Sequence, residues 1–340
     1  MTDKKWLVID AHSHYFPEEP IKNAVKRGID LSNHMVGRIP KTIQKTKEID
    51  TMVRIMEEGG VDMMVLYSSQ WSPLGIETSQ EMNDIYAKLK KEYPGKFILC
   101  GQCPLKPGSD IIDEIERCIS DLGFHGISFL ASSPEFSVDS PELWPIYEKI
   151  AQLNVPVIIH PSIVRSLWGG GAKYDMRATV TREYEISKCV VEVLFGVLKD
   201  FPDLKFIFSH YGGGMPALKA RVRAWFQPEG WPIPDDEECK NNGKSPMELK
   251  RFGLDKAFDE LFDKLYFDMA GAGAGWTPMI NAALAVLRTD HICFGTDYPF
   301  DVRVPEDIRY FIDAIKNLNI PEQDKRLMLG ENIQKLFKLN

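Results

Sequence analysis

The chain has 340 residues, 44% of them hydrophobic and 26% charged, a globular balance that excludes a disordered or fibrous protein. A formal net charge of -8 without any clustered run of cations argues against a partner bound through nucleic-acid phosphates. No run of about 18 apolar residues marks a membrane span. The length fits two domains or one large α/β barrel, and with no interior linker, residues 1–340 read as a single domain.

The first element is a short buried strand, Leu7 to Ile9, that ends in Asp10-Ala11-His12-Ser13-His14. Side chains two apart on a strand share a face, so His12 and His14 present two nitrogen donors to one cation. Phe16-Pro17-Glu18-Glu19-Pro20 reads as a turn-rich loop that continues without a clear period to about Thr42. Such a long connection leaving the histidine-bearing strand end is expected to form walls or a lid. Ile49, Met52, Val53 and Met56 then recur at helical spacing until Gly59-Gly60 stops the helix. A strand follows over 61–67.

The alternation repeats along the chain. Helix 79–92 leads to strand 97–102, helix 109–121 to strand 125–130, and helix 141–152 to strand 156–160. After a loop with Gly169-Gly170-Gly171 comes a helix over 181–199, then strand 204–210 and helix 215–226. Residues 227–250, rich in Pro, Gly and charge, read as a surface insertion after strand 6. Strands at 265–269 and 291–297 complete the set, and helices near 305–316 and 322–337 close the chain. Eight strand-then-helix units with apolar strands predict a parallel sheet closed into a (β/α)8 TIM barrel. The competing doubly wound sheet lacks its Gly-x-Gly-x-x-Gly after strand 1.

Cys100, Cys103, Cys118, Cys189, Cys239 and Cys293 are scattered, several inside apolar runs, which points to reduced thiols and a cytoplasmic protein. The pair Cys100-Gly-Gln-Cys103 has no second C-x-x-C to complete a zinc site and reads as structural.

Parallel barrel strands expose their C-terminal ends on one face, where sites assemble. His12 and His14 end strand 1, His160 ends strand 5, His210 ends strand 6 and Asp297 ends strand 8. Of the seven histidines, these four share one rim, whereas His34 sits in a loop and His125 and His291 begin strands on the opposite face. Imidazoles with a carboxylate suit one divalent ion, zinc by preference and manganese as the alternative. Such an ion lowers the pKa of a bound water and polarises a substrate oxygen.

Together, His12-x-His14, His160-Pro161, Ser209-His210-Tyr211-Gly212-Gly213-Gly214 and Gly295-Thr296-Asp297-Tyr298-Pro299-Phe300 resemble the amidohydrolase superfamily. The branch most similar is the one typified by 2-amino-3-carboxymuconate-6-semialdehyde decarboxylase. The resemblance implies a metal held by His12, His14, His160 and Asp297, with His210 as a nearby base or hydrogen-bond donor and Asp297 also exchanging protons. It implies that Arg221 reaches a neighbouring subunit's substrate carboxylate, which makes a homodimer necessary. From the residues alone, Arg221 is equally a surface cation beside Lys219 and Arg223. Trp168 and Phe300 are aromatic candidates for a substrate wall, or packing residues. Where the branch carries an arginine before the second strand, this chain has Met52, with Arg54 and Lys47 as the nearest substitutes.

The function expected is a metal-dependent decarboxylase of an aromatic or muconate-type carboxylic acid, needing no organic cofactor. The alternatives are a hydrolase or hydratase using the same ion on a lactone, amide or unsaturated acid, and a barrel that does no chemistry.

Overall fold

The computed structural model describes residues 5–31, 45–162, 180–226, 258–271 and 275–339. Eight strands run parallel in the order of the chain: β1 Ile9–Ser13, β2 Met63–Leu66, β3 Phe97–Gln102, β4 Gly126–Leu130, β5 Val157–His160, β6 Phe206–Phe208, β7 Tyr266–Asp268 and β8 Ile292–Cys293. The helices are α1 Glu18–Lys26, α2 Ile49–Gly59, α3 Ile76–Glu92, α4 Ser109–Glu116, α5 Trp144–Leu153, α6 Arg182–Glu192, α7 Met215–Phe226, α8 Phe258–Phe262, α9 Thr277–Leu284 and α10 Pro305–Lys316, with α11 Glu322–Arg326 and α12 Asn332–Leu336 at the end. This is the (β/α)8 barrel that the alternation predicts. The expected surface insertion at 227–250 lies outside the described residues.

Alternation along the strands divides the core in two. Ile9, Val65, Ile98, Ile158 and Ile207 form one buried cluster, joined by Ile333, Leu336 and Phe337 from the last helix. Their neighbours Met64, Leu66, Leu99, Ile127, Phe129, Ile159, Phe206 and Phe208 pack outward against helix residues such as Met56, Ile111, Ile150 and Ile312. A strand buried on both faces must be apolar throughout, which is why these segments read as continuous hydrophobic runs.

The ring closes between β8 and β1. Ala11 N donates to Phe294 O at 2.7 Å, Asp297 N to His12 O at 2.9 Å, and His14 N to Tyr298 O at 2.9 Å. The Asp10 carboxylate clasps the same seam, accepting from His12 N at 3.0 Å, Thr296 N at 2.9 Å and Thr296 Oγ1 at 2.6 Å. Burial pushes its pKa up to about 7, against the pull of those three donors.

Two expectations need correction. The stretch from Phe16 is not a loop throughout, since Glu18–Lys26 is helical. Pro17 is its N-cap and Pro20 lies in its first turn, where a missing N–H breaks no bond, and Pro20, Ile21 and Ala24 form its buried face. Helices α8 and α9, between the predicted strands, are additions. Elsewhere boundaries move by a few residues, and Gly60 caps α2 at φ 92°, as a helix-stopping glycine should.

Candidate metal centre

The C-terminal strand ends bring the five predicted side chains together, all buried. Nitrogens of His12, His14 and His160 lie within 4.8 Å of one another, and donor atoms of His12, His210 and Asp297 do the same. His12 Nε2 faces His14 Nε2 at 3.0 Å. Asp297 Oδ1 stands 3.0 Å from His14 Nε2 and 3.5 Å from His12 Nε2. At most one proton fits between the two imidazole nitrogens, whereas one cation serves all three atoms, because ligands of a tetrahedral zinc lie about 3.3 Å apart.

Hydrogen bonds on the far side of the rings aim the free nitrogens inward. His12 Nδ1 meets Asp268 Oδ2 at 2.8 Å, and Asp268 Oδ1 accepts from the backbone of His210 at 2.9 Å and of Ala270 at 3.0 Å. His160 Nδ1 donates to its own chain at Pro161 O, 2.8 Å away. The Gln70 amide nitrogen lies beside both nitrogens of His14, 3.2 Å from Nδ1 and 3.4 Å from Nε2, and its Oε1 is buried with no partner among the described residues. Partners of this kind fix the tautomer that leaves Nε2 with its lone pair.

For three of the four histidines electrostatics favours the neutral state. Burial, followed by the charge of its imidazole neighbours, holds His160 well below the ordinary histidine value, and burial also lowers His14. For His210 burial is again the main cause, and the positive charge of Arg182 adds to it. His12 is the exception, because burial lowers it but the Asp268 and Asp297 carboxylates outweigh that and raise it. For Asp297, burial acts upward while His14, His12 and Arg182 bring it below the usual carboxylate range. Neutral imidazoles beside an ionised carboxylate are what a divalent ion requires.

His210 and Asp297 are also set apart by backbone, at φ 57° and 49°. Non-glycine residues rarely occupy this region, and residues held there cluster at functional sites. Among the described residues both nitrogens of His210 lack hydrogen-bond partners, and the nearest carboxylate, Glu183, is at 3.8 Å. A buried imidazole left this free fits a group that binds only when a ligand is present.

The other predicted residues separate. Phe300 packs edge-on to His14, with ring centres 5.5 Å apart, and so borders the cluster. Arg221 is exposed on α7 and has no ion pair among the described residues. Arg54 is exposed and pairs with Glu58 at 3.2 Å, Lys47 pairs with Glu18 at 3.0 Å, and Met52 is core. Trp168 lies outside the described residues. Cys100 and Cys103 are buried free thiols, in keeping with a structural role.

Sequence reading passed over three residues. Asp268 carried a signal, being a carboxylate at the end of β7 on the same rim. Gln70 follows β2 in a polar run without a distinguishing pattern, and Arg182 is one cation among many at a helix start.

A family model described as amidohydrolase matches residues 9–339. The chain is 27% identical over 313 residues to gamma-resorcylate decarboxylase of Polaromonas sp., covering 86% of this chain and 87% of that one. It is also 27% identical over 364 residues to 2-amino-3-carboxymuconate-6-semialdehyde decarboxylase of Dictyostelium discoideum, covering 98% and 92%. Its fold is similar to that of 5-carboxyvanillate decarboxylase from Novosphingobium aromaticivorans, in a crystal structure with manganese and 4-hydroxy-3-methoxy-5-nitrobenzoic acid. The TM-score is 0.80 at 20% identity, over 100% of this chain and 98% of that one. By the family match across the whole barrel, from the first histidine-bearing strand to the last helix, the chain belongs to the amidohydrolase family.

Proposed function

We propose that this chain is a metal-dependent carboxy-lyase that removes carbon dioxide, without an oxidant, from an aromatic or muconate-type carboxylic acid. The observation that carries the reading is the convergence of four strand-end histidines and Asp297 in one buried cluster. The relatives' names as decarboxylases of gamma-resorcylate and of a carboxymuconate semialdehyde support the choice of reaction.

In this reading His12, His14, His160 and Asp297 hold one divalent ion. The nitrogen-rich set favours zinc, and manganese, the ion in the carboxyvanillate decarboxylase structure, is the alternative. The ion supplies a Lewis acid that fixes and polarises substrate oxygens. The protein supplies the rest. Asp297 Oδ1 faces the histidines while Oδ2 faces Arg182 at 3.8 Å, and in this reading Oδ2 relays a proton from water to the substrate. His210, neutral near pH 7, takes a proton or donates a hydrogen bond from its ring N–H. The ring carbon bearing the carboxylate gains a proton, the carbon–carbon bond breaks, and its electron pair restores the ring as carbon dioxide leaves. Phe300 and Trp168 serve as aromatic walls. Arg221, exposed and without an ion pair among the described residues, reaches the substrate of a partner subunit in a homodimer. The five cysteines among the described residues are buried free thiols, consistent with a reducing, cytoplasmic setting, and no described helix is long and apolar enough to cross a membrane.

The test is incubation of metal-loaded protein in deuterium oxide with hydroxybenzoates and unsaturated dicarboxylates. Release of carbon dioxide with one deuterium on the vacated carbon is expected. Hydrolysis of lactones, or hydration of a double bond without carbon dioxide, would transfer the assignment to the hydrolase or hydratase alternative.

A further inference from the structure

Arg182 opens α6 with its side chain only 16% exposed, and it faces the candidate metal centre. Its Nη1 stands 3.8 Å from Asp297 Oδ2. Among the described residues its one hydrogen bond is from Nε to the adjacent Glu183, at 3.2 Å. Its charge acts on His160, His210, Asp297 and Asp301. A guanidinium has five donors, of which one is used among the described residues.

The fold holds this arginine in place from three sides. Ser187 Oγ accepts from Gly214 N at 2.7 Å and donates to Glu183 O at 2.8 Å, which ties the first turn of α6 to the glycine run after β6. Glu185 accepts from Ser132 at 3.0 Å, and Ser132 meets Ser162 at 2.8 Å, which ties the same turn to the ends of β4 and β5. Packing of this kind is what a preorganised anion receptor needs.

We propose that Arg182 is a specificity-determining residue that binds, from the same subunit, the ortho oxygen of the substrate that stays on the product. The inference rests on the lyase reading above and refines it. As carbon dioxide forms, the negative charge of the leaving carboxylate disappears. A guanidinium paired with that group would stabilise the starting state more than the transition state and slow the reaction. Paired with an ortho hydroxyl oxygen, which stays on the ring, it binds both states and selects acids that carry such an oxygen. A planar fork of donors suits this task better than an ammonium.

The experiment uses manganese-loaded full-length protein and two probes, 2-hydroxybenzoate and benzoate, with dissociation constants from calorimetry for wild type, R182Q and R182K. The expected result is that R182Q weakens 2-hydroxybenzoate ten- to hundredfold, leaves benzoate and the metal content unchanged, and that R182K recovers part of the loss. Equal weakening of both probes, loss of metal in R182Q, or no measurable binding of 2-hydroxybenzoate to wild type overturns the proposal. Carbon dioxide release from ortho-hydroxy acids at the same kcat/KM in wild type and R182Q overturns it while leaving the lyase reading intact. If no acid releases carbon dioxide yet the probe contrast persists, the lyase reading fails and the receptor stands.

Discussion

The chemistry of the site turns on which nitrogen of each histidine is free, and for His12 that is decided by Asp268. The carboxylate accepts Nδ1–H, so Nε2 keeps its lone pair toward His14 and Asp297. D268N keeps the shape and the oxygen that accepts the two backbone N–H groups, but offers an amide donor where His12 needs an acceptor. The expected outcome is the other tautomer and a metal affinity lower by about 10- to 100-fold, read by competition with a chelator of known affinity, with unchanged circular dichroism. An unchanged affinity would remove Asp268 from the account. At this scale the histidines were legible, because a His at the end of an apolar strand stands out by position. Arg182 was not, since only the packing of α6 shows where a lone helix-start cation points.

At the scale of elements, the decisive contact is between α6 and the turn Ser209-His210-Tyr211-Gly212-Gly213-Gly214. Gly213 has φ 66°, and a Cβ there would lie 2.2 Å from Glu183 O and 2.5 Å from Ile186 Cγ2. The glycine lets the first turn of α6 approach closely enough to bring Arg182 to the cluster. G213A is therefore expected to destabilise by about 1–3 kcal/mol in chemical denaturation and to weaken 2-hydroxybenzoate binding. G28A, also at positive φ but with nothing within 4 Å, isolates the backbone share of that loss at about 1 kcal/mol. Equal destabilisation in the two variants would show that the close approach is not under pressure. In the sequence the glycine run was a motif, but its physical task appears only once Glu183 is seen against it. The helix α1 was hidden for a related reason, because prolines that signal a turn in isolation are tolerated at a helix start.

For the whole molecule, the barrel was legible because eight apolar strands and their intervening helices impose two distinct periods on the chain. What no periodicity could give is the seam, where Asp10 joins residues 286 positions apart by accepting from Thr296. Closure of that seam is what carries Asp297 over to His12 and His14. The proposed ion would draw on β1, β5 and the segment after β8 at once, so it binds the folded barrel and not the open chain, and its binding adds to stability. Crystals loaded with manganese or zinc, measured at that metal's absorption edge, test this convergence most directly. The account predicts one anomalous peak per chain, about 2.0–2.2 Å from Nε2 of His12, His14 and His160 and from a carboxylate oxygen of Asp297. Density for the loaded ion elsewhere on the barrel, with none between these four side chains, would contradict it.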